Sequence, residues 1–409
     1  MGFLSKKPNH RLGLIIDIGS GSVLVAVVAS DPAKSHPDIV WSKREHTPQR
    51  LTTDNNSQHK SVLTSLINVM MAFDSEGRAA CRESSYGHNI NNVQVNISAP
   101  WSYTVTKTIA YQNEEEFMVS KSLVDELLRT AHLKVEEELQ EKAKINDLGL
   151  EILVKSIMKI VANGYAINLT DKQRANDLKI IEASAVAQKR LIEAVKEIKN
   201  KVLPEASLKK YSFTLPYYYV INSLNPANSS YCLVDITYEA TEIGIVREGV
   251  LTYCSHIAVG TMSLAREIAE ILSVPIQETF GYLKSEGLDD YLKNCSANQQ
   301  DKVNEIFAKY QDQLTTLFKE TGDSLTVPKK IYLHSNLNTE SFFNEQITKA
   351  ANQSTKLAHA TYNVTSELLT KMYPKEYVAK LTKGERDTGL LISAQFFHTV
   401  EYETKFDQL

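Results

Sequence analysis

The chain has only four cysteines (Cys81, Cys232, Cys254 and Cys295), with no CxxC pair and no Cys/His pairing among them. That excludes a zinc site of the usual spacing and supplies no disulfide framework, so a reducing, cytoplasmic compartment is the expectation. Long apolar runs are also missing: none approaches the roughly 20 residues that span a bilayer, and the opening MGFLSKKPNHR lacks the apolar core of a secretory signal. The myristoylation pattern fails as well, because it asks for Ser or Thr where Lys6 stands. No excess of one charge exists, with 45 basic against 49 acidic residues and a net charge of -4, which argues against nucleic acid as a partner. His256, His334 and His398 have no i, i+4 partner or carboxylate pair beside them and read as packing or surface residues.

What is present is an ordinary globular composition, 43% hydrophobic and 23% charged over 409 residues, about two to three times a typical single domain. Two lobes, or one domain with insertions, are expected. At the start, Phe3 and Leu4 beside Lys6, Lys7, His10 and Arg11 read either as a weak contact with an anionic membrane or as a solvated basic tail.

Residues 12–29, LGLIIDIGSGSVLVAVVA, place two apolar runs around a small-residue turn, the pattern of two buried strands joined tightly. DIVWSKREHTP reads as a third strand, and Val62, Leu63, Leu66, Ile67, Met70 and Phe73 recur at helical spacing. Residues 93–111 read as paired strands, about 122–143 as a charged helix, and LEILVKSIMKIVANGYAINL as strand, with a polar break at TDKQRAND. This order suggests an inserted unit. After a strand at 178–186 and a helix behind it, residues 230–260 repeat the opening design, with Asp235 at the end of an apolar strand where the first hairpin has Asp17. Helices are expected near 262–272, 277–286 and 299–320, and a strand at 329–336.

Small residues in such a hairpin let backbone N–H groups reach phosphate oxygens, and a nearby carboxylate can hold Mg²⁺ directly or through water. Gly19, Ser20, Gly21, Ser22 and Asp17 have that composition, but a tight turn has it too. The turn after Asp235, Thr237-Tyr238-Glu239-Ala240-Thr241, contains no glycine, and Glu239 would bring negative charge toward phosphates.

The two hairpins with an insertion between them resemble the bacterial actin-like proteins of the FtsA and PilM group over nearly the whole chain. Asp235, Thr241, Ile243, Gly249, Gly260, Pro275 and Gly287 stand where that pattern puts them. The resemblance implies an α/β, two-lobed actin-like ATPase fold, a duplicated ribonuclease-H-like design with an inserted strand-helix-strand-strand subdomain. The implied division is 1–92 and 173–229 for the first lobe, 93–172 for the insertion, and 230–409 for the second lobe, with a helical subdomain at 262–325. Asp17, Gly19, Ser20, Gly21 and Ser22 would form the first phosphate loop, and Asp235, Thr237 and Thr241 the second. Ser335 and Asn336 would stand in the adenosine motif, where the pattern has glycines. ATP would be the cofactor, with Mg²⁺ near Asp17 and Asp235, mostly through water.

By the same resemblance Trp101 and Tyr103 lie on the part that contacts partners, although filling a small subdomain's core also needs large aromatics. The implied function is an FtsA-like cytoplasmic scaffold in cell division at the inner face of the membrane, at most a slow ATPase. It would link division proteins to the membrane and could self-associate into filaments. Its partner would be a division polymer's tail (FtsZ-like) or a short tail of an inner-membrane protein. The alternatives are a PilM-like adaptor for type IV pili, a pseudo-ATPase of the same fold, and an actin-fold small-metabolite kinase. The C-terminal stretch RDTGLLISAQFFHTVEYETKFDQL has no basic face, which speaks against a C-terminal membrane helix.

Overall fold

The computed structural model describes residues 10–408, apart from 49–54, 132, 134–148, 169–172, 228, 286, 322–326, 336–339, 366–368, 370, 382–386 and 401–406. Strands β1 (Arg11–Ile18) and β2 (Ser22–Ser30) are buried along almost their whole length, as two continuous apolar runs require when both faces of a sheet are covered. They pair antiparallel, and β3 (Asp38–His46) adds to β2. On the other side β4 (Ile90–Ile97) runs parallel to β1, with β9 (Ser207–Ser212) parallel to β4. The order is β3-β2-β1-β4-β9.

A second sheet repeats this design with β10 (Tyr231–Ile236), β11 (Thr241–Arg247), β12 (Val250–Ile257), β13 (Lys330–Ser335) and β14 (Ala360–Asn363), in the order β12-β11-β10-β13-β14. Its pairings are antiparallel, antiparallel, parallel and parallel, as in the first. The echo of Asp17 at Asp235 is therefore a duplication of the whole sheet.

Between the two lies a third sheet, built from β5 (Ser102–Val119), β6 (Leu150–Ala162), β7 (Tyr165–Ile167) and β8 (Gln173–Gln188), with β8 between β5 and β6. The boundaries differ from the expected ones in three places. Residues 93–97, assigned to the insertion, belong to β4 of the first sheet. Residues 173–188, assigned to the first lobe, are the central strand of the inserted sheet. Their polar start reads as a break because it is the exposed end of a long strand, yet Gln173–Ala175 pair with Phe117–Val119. Part of the expected charged helix is present as helical residues 121–131, and the rest lies outside the described residues.

Helices α1 (Asn55–Ala72) and α2 (Lys189–Val202) cover the face of the first sheet that carries Leu14, Ile16, Val25 and Val27. Helix α3 (Thr214–Leu224) sits at the seam, where Tyr217 donates to the Tyr332 carbonyl at 3.0 Å and Tyr218 to the Gly249 carbonyl at 2.7 Å. In the second lobe α4 (Thr261–Leu272), α5 (Ala297–Lys319) and α6 (Glu340–Thr355) pack around Val234, Ile243 and Leu333. The third difference concerns the C-terminal part: α7 (Thr388–Val400), expected in the second lobe, lies on the opposite face of the first sheet, against Ile15, Leu24, Ala26 and Val28. Every residue of α7 except Thr399 is buried. Beyond it β15 (Asp407–Gln408) pairs with β6.

The inserted sheet touches both lobes. Thr106 donates to the Thr252 carbonyl at 3.0 Å, and Lys159 meets Glu248 at 3.1 Å, which fastens the insertion to the second lobe.

Candidate functional site: the cleft between the lobes

Asp17 faces Leu24 across β1 and β2, and Leu24 faces Arg44 across β2 and β3. Residues directly opposite in a sheet share a face, so this register brings an acid and a base to the side covered by α7. Arg44 donates to Asp17 Oδ2 at 3.3 Å and to Ser22 Oγ at 2.7 Å, and its Nη2 lies 2.9 Å from Asp387 Oδ2. Asp387 also caps α7, accepting from the Leu390 N–H at 3.0 Å. Burial pushes the Asp17 carboxyl up to about 6, against the opposing pull of Arg44.

The turn between β1 and β2 is closed by its own backbone: Gly19 N–H donates to the Ser22 carbonyl and Thr47 N–H to the Gly21 carbonyl, both at 2.9 Å. Above Gly21 lies the ring of Tyr238. A Cβ on Gly21 would fall 2.0–2.2 Å from that ring, so only glycine admits it. The Tyr238 hydroxyl reaches His46 Nδ1 at 3.1 Å, and burial pushes it up to about 12.

In the second lobe Asp235 lies opposite His334, and its Oδ1 meets His334 Nδ1 at 2.7 Å. The His334 ring lies 5.1 Å from Phe213 and 5.7 Å from Tyr217, both at the seam. Thr237 donates from Oγ1 to the Ala99 carbonyl of the first lobe at 3.0 Å. Thr241 turns inward, to the Val259 carbonyl at 2.8 Å and Tyr310 Oη at 3.2 Å. Ser335 is buried at the end of β13, and Asn336 lies outside the described residues. Glu239 is paired by a bidentate contact from Arg266 and accepts from Ser263 at 3.0 Å.

The turn carrying Tyr238 and Glu239 packs on Gly260, where a Cβ would lie 2.4 Å from the Thr237 carbonyl oxygen and 2.6 Å from the Ala240 nitrogen. Backbone cannot give way as a flexible side chain does. Gly260→Ala should therefore displace this turn and cost about 1–3 kcal/mol, read as a lower urea midpoint, whereas an unchanged midpoint would show that the turn can move.

Does this cleft fit Mg²⁺ and a triphosphate? Asp17 Oδ1, Asp235 Oδ2 and Ser20 Oγ are buried side-chain atoms that find no protein hydrogen-bond partner, which suits an ion or water. The space does not. The recess lined by Ser20, Gly21, Tyr238, Glu239 and Arg266 holds about 30 Å³, room for one or two waters and far less than a phosphate chain needs. Tyr238 covers the small-residue loop, Arg44 is already shared between Asp17 and Asp387, and Arg266 is engaged by Glu239. The described residues do not fit Mg-ATP in this arrangement. Among the described residues no group of three or more His, Cys, Asp or Glu is placed to hold a metal.

Trp101 is buried against His59, with ring centroids 6.0 Å apart. Tyr103 stacks on His256 of β12 at 5.1 Å, inside the seam between insertion and second lobe. In this arrangement both aromatics serve internal packing. Glu242, next to Asp235 across β10 and β11, is fully buried and accepts from the Thr104 N–H at 3.2 Å. Burial, with Asp235 adding to it, pushes its carboxyl up to about 8. The sequence reading named neither Arg44, Asp387 nor Glu242 as a site residue.

No family model matches the chain, and no curated protein matches it. Among solved structures, a chain of the PilM-PilN type IV pilus biogenesis complex aligns with a TM-score of 0.56 and 11% identity, covering 95% of this chain and 98% of that one. The fold is actin-like. This actin-like chain also aligns with the ethanolamine utilization protein EutJ from Carboxydothermus hydrogenoformans (TM-score 0.42, 9% identity, 95% and 90% covered). A Bacteroides thetaiotaomicron protein with an actin-like ATPase fold aligns at TM-score 0.38 and 12% identity, with 89% and 93% covered. At such identities the likeness reaches the fold and not the narrower FtsA-type role. Among the described residues no helix of the actin-like chain is long and apolar enough to cross a membrane.

Proposed function

We propose that this chain is an adaptor on the actin-like fold, a pseudo-ATPase that holds a short segment of another protein, of the PilM type in preference to the FtsA type. The observation that carries this reading is the filled cleft: Tyr238 lies over Gly21, and Arg44 is held between Asp17 and Asp387. Turnover then has no site, and binding is what the fold has left to offer. The contacts of the inserted sheet with the second lobe, from Thr106 to the Thr252 carbonyl and from Lys159 to Glu248, are consistent with a platform that moves with that lobe. The PilM type is preferred because a chain of the PilM-PilN complex aligns over the whole length with a TM-score of 0.56.

The test is capture of cross-linked partners from the membranes of the source cell, alongside phosphate release from Mg-ATP. We expect enrichment of an inner-membrane protein with a short cytoplasmic segment, and no phosphate release above the buffer rate. Recovery of a division polymer would favour the FtsA type. Steady ATP turnover by the wild type, lost in Asp17→Ala, would sink the pseudo-ATPase reading.

A further inference from the structure

We propose that Tyr238 is a built-in occupant of the phosphate cradle, a latch that holds the second lobe against the first without any nucleotide. In a two-lobed cleft a ligand that touches both sides sets the closure, because it binds the closed form better than the open one. Here a side chain of the chain itself makes those contacts. The Tyr238 ring lies on Gly21 and its hydroxyl meets His46 Nδ1 at 3.1 Å, both in the first lobe. The preceding residue adds the bond from Thr237 Oγ1 to the Ala99 carbonyl.

The turn is built to aim this ring. Thr237 N–H donates to the Ala240 carbonyl at 2.9 Å, Ala240 N–H to Thr237 Oγ1 at 3.0 Å, and Met262 N–H to the Tyr238 carbonyl at 2.9 Å. Gly260 lets the turn settle against the start of α4. Glu239, on the same turn, has its charge paired by Arg266 and accepts from Ser263. The first loop is complementary, since any residue larger than Gly21 would meet the ring. A turn without glycines and a loop with them are thus two halves of one contact.

This inference rests on the filled cleft that also carries the pseudo-ATPase reading but not on the adaptor role, because lobe closure can be measured with no partner present. Hydrogen exchange and small-angle scattering on the full chain read it directly. The wild type should give the same scattering profile and the same exchange at 19–22 and 237–240 with or without millimolar Mg-ATP or inorganic tripolyphosphate. Tyr238→Ala should widen the scattering profile and speed exchange in those two segments by about tenfold, while the interiors of β1 and β10 keep their protection. Tyr238→Phe, which keeps the ring, should stay close to wild type. If Tyr238→Ala unfolds, Tyr238→Leu supplies the same comparison with an apolar filler. Unchanged exchange in the truncated variants, or wild-type closure that tightens with Mg-ATP or tripolyphosphate, would overturn the proposal. A failed partner capture moves none of these readings.

Discussion

Arg44→Ala is expected to lower the stability of the chain by about 3–5 kcal/mol, the range found when one partner of a buried ion pair is removed. The guanidinium is 14% exposed and sits between Asp17, at 2%, and Asp387, at 19%. Without it Asp17 keeps its burial, the main cause of its raised pKa, and loses the principal charge that opposes it. The carboxyl must then take up a proton or stay charged in an apolar setting, and Ser22 loses its donor as well. Because a buried charge left alone costs more than the intact pair gains, Arg44→Leu combined with Asp17→Asn should recover more than half of the loss. Urea denaturation at neutral pH checks both. A loss under about 1 kcal/mol for Arg44→Ala would mean that water already reaches the pair and that it belongs with surface ion pairs.

The two hairpins were legible because a strand covered on both faces must be apolar throughout, and runs such as SVLVAVVAS and YCLVDI admit few other readings. Helix α5 was legible for the opposite reason: Val303, Ile306, Tyr310, Leu314 and Leu317 face one core at helical spacing while the other side is wet. Helix α7 shows where that reasoning fails. Buried almost all round, TGLLISAQFFHTV has no polar face to mark which sheet it joins. Its place on the first sheet depends on Gly13, where Phe397 fills the space a Cβ would take. No local pattern reports such a contact between residues so distant in the chain.

Within the candidate site, composition pointed to Asp17 and the Gly-Ser loop, and the missing glycines flagged the second turn. What the turn does instead was not legible, since Tyr238 reaches its position only once two lobes are assembled around the cleft. Arg44 belongs to the same class. It becomes a partner of Asp17 through strand register, and register across three strands is set by turns and by the covering helix.

Stability should also fall as pH rises from 6.5 to 8, and Glu242→Gln should abolish most of that fall. Glu242 has its folded pKa raised from 4.5 to about 8, chiefly by burial, with Asp235 adding to it. The folded chain therefore holds a proton that the unfolded chain releases, so this group's contribution is complete below about 4.5 and is lost as pH climbs through about 8. At about 1.4 kcal/mol per unit, the stretch from pH 6.5 to 8 should cost about 2 kcal/mol. The other shifted groups leave that window largely clear. Asp17, raised to about 6, acts lower, and His36, His46, His59, His256 and His398 have lowered pKa values and so act below 6.5 with the opposite sign. Cys254 beside Glu242 is pushed far above the window by burial. A glutamine keeps an oxygen for the Thr104 N–H and nearly the same volume, so Glu242→Gln should fold and show a flat profile across these pH values. Chemical denaturation at four or five pH values reads the slope directly. Equal slopes in wild type and variant would show that Glu242 ionises freely and that the seam between insertion and second lobe admits water. The loss should appear first as faster exchange at Thr104 and its neighbours, because the carboxylate that forms at high pH has to be hydrated, and opening this seam is the short route to solvent.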